Sequence, residues 1–317
     1  MDGVLHDIGV FFEHLADVGW TALGVALFCQ FVKIGCVSRA WRNIIKASYP
    51  ETLVPWRSIW GATLARVGVN AIVPARGGDA VGLFIVKRRV DGSSYATLAA
   101  SLVALTLFDS VAALCFIVYA LASGELPGSS VLAKLDAFDF HWFFAHIRGT
   151  LIAIGLILLV ILLLLLWFAE QLMGFRRRIA RGFAVFSDFR SYLRHVAIWQ
   201  VGDWCMRLTA IYFFLRAFHV PATIHNAILV QVTQSLAVLF PISPSGIGTE
   251  QALLLYTFAG KAAKTVLLSF SVGMRVTLII FNALLGFAAI LVMLRTLHWR
   301  QHVEADRDAV AKNPKTS

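Results

Sequence analysis

The sequence predicts an all-α integral membrane fold. It is a polytopic helical bundle with about five long spans and two short-helix hairpins that enter the membrane and return, arranged as an inverted repeat. Three observations predict it. The chain is 59% apolar and 15% charged, with mean hydropathy +0.76, whereas soluble domains sit near about 45–50% apolar and about 25% charged. Its apolar stretches are continuous runs without the alternation of barrel strands. Two of those runs are interrupted, in corresponding positions, by stretches rich in proline, glycine and acid. Such paired breaks point to the binding site of a transporter.

The first long run, Val18–Val37, is expected to end in a basic loop carrying Arg39, Arg42, Lys46 and Arg57 against Glu51. Ile59–Val73 follows, interrupted by Arg66 and Asn70; at 1.5 Å per residue it reaches roughly 22 Å, short of a ~30 Å hydrocarbon core. The first break, NAIVPARGGDA over Asn70–Ala80, leads to a stub, Ala80–Val86, closed by Lys87, Arg88 and Arg89. That stub reaches only about 10 Å. Ser94–Ala122 is a long span with Asp109 near its centre, and the loop 123–148 is acidic and aromatic. Gly149–Ala169 has no ionisable residue and is expected to face lipid. Residues 170–194 mix six arginines with phenylalanines, a pattern that suits either an amphipathic surface helix or a basic cytoplasmic loop.

Val196–Leu215, with Asp203 and Arg207, begins the second half. The short run Asn226–Phe240, the break FPISPSGIGTEQ over Phe240–Gln251, the stub Ala252–Ala259 and the long span Thr265–Leu294 repeat the layout of the first half. A single membrane domain is expected over 1–295: half one at about 15–122, a connecting span at 149–169 and half two at about 195–295. Residues 296–317 are expected to form a polar, disordered tail. The net charge of +10 is carried by short loops beside apolar runs, which argues for positive-inside topology and against nucleic acid as a partner. Placing the basic loops inside leaves the N-terminus outside and the C-terminus cytoplasmic, with Lys261 and Lys264 dissenting.

Ionisable groups at membrane depth are costly and mark partners or pathways. The candidates are Arg66, Arg76, Arg207 and Arg275 against Asp79, Asp109, Asp203 and Glu250. Asp203 and Arg207 are four apart on one helix and can pair with each other, so these two and Asp109 read first as structural. Arg76, Asp79 and Glu250 sit in the breaks and read first as functional. Pro74, Gly77 and Gly78 in one break, and Pro241, Pro244, Gly246 and Gly248 in the other, let the backbone turn sharply and approach a ligand. Asp79 and the pair Thr249-Glu250 are placed to open the stub helices, whose free N–H groups attract phosphate; an acid there can instead cap its helix. Arg66, Arg76 and Arg275 are the natural oxyanion ligands, with Asn70, Ser243, Ser245 and Thr249 as neutral polar partners.

Catalytic patterns are poor. The nine histidines are scattered without metal-ligand spacing, and the serines near Glu250 have no accompanying histidine. No catalytic residue, metal or cofactor is expected, and the four cysteines read as small buried hydrophobes.

These residues resemble a known family. Ser38-Arg39-Ala40-Trp41-Arg42, Asn70 with Pro74-Ala75-Arg76-Gly77-Gly78-Asp79, Pro241-Ile242-Ser243-Pro244-Ser245-Gly246-Ile247-Gly248-Thr249-Glu250, and Arg275 are similar to the flippase-like membrane domain of the lysyl-phosphatidylglycerol synthase family over about Val18–Leu294. The second break is the more specific. Ser245 stands where many relatives have glycine, a minor departure. The resemblance implies a multi-pass protein of the prokaryotic plasma (inner) membrane that moves lipid between leaflets. Bifunctional relatives add a soluble aminoacyl-transferase domain; with the chain ending at Ser317, only translocation is expected here. Other relatives belong to lipid-linked sugar pathways. The expected partners are therefore membrane lipids with an anionic or lipid-linked headgroup. The alternative is a non-transporting membrane subunit that anchors a glycosyltransferase or lipid-modifying enzyme.

Overall fold

The computed structural model describes residues 18–73, 76–123, 179–239 and 249–312. The expected connecting span 149–169, the loop 123–148 beyond Ser123 and most of the second break lie outside them. Within the described residues every regular element is a helix. In order these are α1 (Trp20–Ser48), α2 (Trp56–Ile72), α3 (Gly77–Arg89), α4 (Tyr95–Ala122), α5 (Ile198–Ala217), α6 (Ile224–Leu239), α7 (Thr249–Thr257) and α8 (Lys264–Lys312). A short helical turn, Phe189–Tyr192, leads through a π-helical turn into α5. Among the described residues three helices are long and apolar enough to cross a membrane: α1, Tyr95–Ala120 of α4 and Lys264–Met293 of α8. The chain is an all-α integral membrane protein.

Several boundaries differ from expectation. The basic stretch after the first run is helical to Ser48, because Trp41, Ile44 and Ile45 form a fully buried stripe and no breaker intervenes before Pro50. Arg39, Arg42 and Lys46 therefore lie on helix. The first stub is longer than expected: α3 has thirteen residues and spans about 20 Å, since Lys87–Arg89 continue the helix and suit its negative C-terminal dipole end. The tail is likewise helical through Lys312, a run of good helix formers with no glycine or proline before Pro314. Two of the four cysteines, Cys115 and Cys205, lie exposed, while Cys29 and Cys36 are buried.

The helix pairings are unchanged when α1–α4 are exchanged with α5–α8. α1 packs on α2 as α5 does on α6, α2 on α3 as α6 on α7, and α3 on α4 as α7 on α8. α1 meets α4 as α5 meets α8, and α2 meets α8 as α6 meets α4. The pair α1–α5 maps onto itself. Its two helices run antiparallel: Gly19 N–H donates to the Ala217 carbonyl at one end, Gly202 faces Cys36 midway, and Asn43 donates to the His195 carbonyl at the other end. Corresponding helices of opposite direction are the signature of an inverted repeat.

Two apolar clusters close the ends of the bundle. One joins the start of α1 to α5, α6, the end of α7 and the start of α8 around Phe214, Leu229, Phe258 and Phe270. The other joins the end of α1 to α2, α3, α4 and the turn before α5 around Trp41, Ile44, Ile59, Leu98 and Tyr192. The second end collects basic side chains. The Arg39 guanidinium lies 3.9 Å from the Trp56 ring, Arg42 donates to the Val54 carbonyl and Arg89 donates to the Met293 carbonyl. The polar layer lies between these two apolar ends.

Candidate functional site

α2 and α3 form a tight antiparallel hairpin. A Cβ on Gly78 would stand 2.1 Å from the Arg66 carbonyl oxygen and 2.7 Å from the Asn70 amide nitrogen, and one on Gly82 would meet the Arg66 side chain. Only glycine fits at 78, which brings the start of α3 against the end of α2. Among the described residues of the break the left-handed backbone is that of Arg76, at φ 59° and ψ 33°, and not of Gly77 or Gly78. A non-glycine residue in the left-handed region is uncommon and clusters at functional sites. Pro74 lies outside the described residues.

The acid that opens α3 does not cap it. Asp79 Oδ1 instead accepts from Asn70 Nδ2 at 3.0 Å and pairs with Arg66 Nη1 at 3.5 Å, while Asn70 Oδ1 accepts the Gly78 N–H at 2.8 Å. The guanidinium of Arg66 also lies 5.4 Å from the ring of Trp41, which is itself fixed by donation to Ser101 Oγ at 3.0 Å. The second half repeats the acid and its carboxamide but takes its arginine from outside the hairpin. Glu250, in the first turn of α7, accepts from Gln234 Nε2 on α6 at 3.2 Å and pairs with Arg275 Nη1 on α8 at 3.0 Å. Each hairpin thus holds its acid with a carboxamide from its first helix and an arginine.

The first hairpin borders a cavity of about 640 Å³ enclosed by α1 to α4, with Arg207 of α5 and Asn282 of α8 completing the wall. Arg66, Asn70, Arg76 and Asp79 all line it. Asp109 and Arg207, read from sequence as structural, line it too. Asp109 accepts from Trp204 Nε1 at 3.0 Å; Arg207 pairs with Asp203 at 2.9 Å and approaches Asp109 at 4.0 Å. The Asp203–Arg207 pair foreseen at i,i+4 is therefore present, and it holds a cavity cation in place. Asn70, Arg76 and Val103, all exposed, stand at the mouth. From Val103 an exposed apolar stripe continues along α4 through Leu107, Val111, Leu114 and Val118.

Glu250 and Arg275 do not line this cavity; Glu250 opens α7 as Asp79 opens α3, and its arginine comes from α8. Pro241, Ser243, Pro244, Ser245, Gly246 and Gly248 lie outside the described residues, as does the side chain of Thr249. Among the described residues no group of three metal-ligating side chains occurs.

Three cavity or hairpin groups went unweighted in the sequence: Lys33 and Gln30 of α1, and Gln234 of α6. Lys33 was legible, as the one ionisable residue within the run Val18–Val37. Gln30, which donates to Asn282 at 3.2 Å, and Gln234 look like ordinary polar residues until the fold supplies their partners.

The family model described as Lysylphosphatidylglycerol synthase TM region matches residues 4–286, which takes in both hairpins and Arg275. No curated protein matches the chain.

Proposed function

The chain belongs to the lysylphosphatidylglycerol synthase transmembrane-region family, and on that premise we propose that it is a lipid flippase-like transporter. It moves a phospholipid or lipid-linked headgroup between leaflets of a prokaryotic plasma membrane. One observation carries this reading: a cavity lined by Lys33, Arg66, Arg76 and Arg207 opens beside an apolar, outward-facing stripe on α4. A headgroup can enter the charged cavity while its acyl chains lie along Val103, Leu107 and Val111, so the charge crosses the hydrocarbon layer without being exposed to it. Arginine suits the phosphate, because its planar fork pairs oxyanions bidentately.

The proposed cycle uses the two-fold relation of the halves. The hairpins α2–α3 and α6–α7 are read as re-entrant elements from opposite faces. At roughly 25 Å for the seventeen residues of α2 and about 24 Å for the sixteen of α6, neither first arm crosses a ~30 Å core upright. With the first-half cavity open and the Glu250–Arg275 pair closed, exchanging the roles of the halves would open the site to the other leaflet. The basic ends of α1 and α3 are assigned to the cytoplasm, which leaves the N-terminus outside and the C-terminus inside. No catalytic step is part of this cycle.

The test is translocation of fluorescent lipid in proteoliposomes. Arg76→Ala and Glu250→Gln are expected to slow it about ten-fold or more, the scale of losing one charged contact of about 1.5–3 kcal/mol, at unchanged expression. Unchanged rates in both would remove the site assignment. A second reading, a membrane subunit anchoring a glycosyltransferase or lipid-modifying enzyme, draws on the exposed Phe189, Arg190, Leu193 and Arg194 at the basic end. A stoichiometric soluble partner recovered with the protein, together with absent lipid movement by the wild type, would favour it.

A further inference from the structure

Lys33 sits thirteen residues after the start of α1 and fifteen before its end, about 20 Å from either terminus along the helix. A lysine side chain extends about a third of that distance and cannot snorkel to either surface. It lines the cavity within electrostatic reach of Arg66 and Arg207 as well as of Asp109 and Asp203. Both acids are already engaged: Asp203 by Arg207, and Asp109 by Trp204 and Arg207. Asp79 is engaged by Arg66 and Asn70. Among the described residues Lys33 has no hydrogen-bond or ion-pair partner. The buried Nε atoms of Arg66 and Arg207 are also without one.

The charges around this space do not balance. Lys33, Arg66, Arg76 and Arg207 line the cavity, against Asp79 and Asp109 in its wall and Asp203 behind Arg207. Among the described residues, four basic side chains, with Arg76 exposed at the mouth, stand against three acidic ones, so cavity and mouth together carry one net positive charge. An ammonium without a direct partner, within reach of two guanidinium groups, destabilises the empty protein, and an anion entering the cavity relieves that repulsion. A zwitterionic headgroup brings no net relief, and a cationic one adds to the repulsion.

We infer that Lys33 is a specificity-determining residue that selects lipids whose headgroup is net anionic, a phosphate without a compensating ammonium, over zwitterionic and aminoacylated ones. This rests on the cavity being the lipid site of the proposed transporter, and it supplies the headgroup class that the cavity takes.

The experiment uses the full chain in detergent, with thermal unfolding followed on adding phosphatidylglycerol, phosphatidic acid, phosphatidylcholine, lysyl-phosphatidylglycerol or inorganic phosphate. For the wild type the anionic lipids should raise Tm by several degrees more than the zwitterionic or cationic ones. Lys33→Met should raise the Tm of the lipid-free protein and reduce the anionic-lipid shift to that of phosphatidylcholine, while Lys33→Arg keeps both wild-type behaviours. A shift with inorganic phosphate equal to that with phosphatidylglycerol would mean that a free anion suffices, and would overturn lipid selection. A lower lipid-free Tm or failure of K33M to accumulate would also overturn the inference, since an uncompensated cation is not needed for folding; so would an anionic-lipid shift unchanged in K33M. Binding and movement separate the two claims. A protein that shows this selectivity but moves no lipid refutes the transport reading alone, whereas movement without the selectivity refutes only the role of Lys33.

Discussion

The two halves meet at the crossing of α2 and α8, where Gly68 and Gly286 stand backbone to backbone. A Cβ on Gly68 would lie 2.5 Å from the Gly286 Cα and 2.7 Å from the Asn282 carbonyl oxygen. Carbon atoms in contact prefer about 3.5–4.0 Å, so Gly68→Ala must part the helices by about 1 Å. The obstructing atoms are backbone and cannot swing away. Overpacking of this kind costs about 1–3 kcal/mol, offset by the ~1 kcal/mol that alanine gains over glycine inside a helix. A net destabilisation of up to about 2 kcal/mol is expected. Gly24, inside α1, provides the internal comparison, because a Cβ there meets nothing within 4 Å. Gly24→Ala should therefore be neutral or stabilising by up to ~1 kcal/mol. Reversible unfolding of both variants in mixed micelles reads the difference, about 1–3 kcal/mol in favour of G24A, since the propensity gain is common to both. Parting α2 from α8 also moves Asn282, one turn before Gly286, away from Gln30, so lipid movement should fall with stability. Equal stabilities for G68A and G24A would refute the crossing.

Two further outcomes follow from the same geometry. Asp79→Asn leaves the Arg66 guanidinium, with only 12% of its side chain exposed, facing a neutral partner, and should cost about 1–3 kcal/mol. A double-mutant cycle with Arg66→Ala should show a coupling of about 0.5 kcal/mol or more, and strict additivity would remove the pair from the argument. Trp41→Ala empties a fully buried site that also supports Arg66 and should destabilise by about 3–5 kcal/mol, whereas Ser101→Ala, which removes one hydrogen bond, should cost about 0.5–1.5 kcal/mol; similar losses in the two, measured by the same unfolding assay, would count against the packing at Trp41.

Much of this protein is legible in one dimension, because a bilayer makes hydrophobic length an almost direct readout of architecture. The long runs that became α1, α4 and α8, the two interrupted segments, and the acids that open α3 and α7 all follow from local composition and the cost of burying charge. Side-chain chemistry also marked Arg66, Arg76, Asp79, Glu250 and Arg275 before any contact was known. What composition does not carry is the partner of a polar group. Whether Asp79 caps its own helix or reaches across to Asn70 and Arg66 depends on the approach of α3 to α2, which the missing Cβ at Gly78 permits. Asp109 and Arg207 read as structural, Arg207 as the i,i+4 partner of Asp203, until α1, α2 and α4 close around them and make them cavity walls. Helix ends escape composition for a related reason: the basic stretch after Val37 is polar in sequence, yet Trp41, Ile44 and Ile45 bury one face of it against the neighbouring helices and keep it helical. The sequence by itself determined that the chain lives in a membrane, where it is interrupted, and that its halves oppose each other. Only the tertiary structure decided which charges are mutually satisfied and which, like Lys33, are left facing an open space, because pairing is a property of distances between elements and not of any one of them.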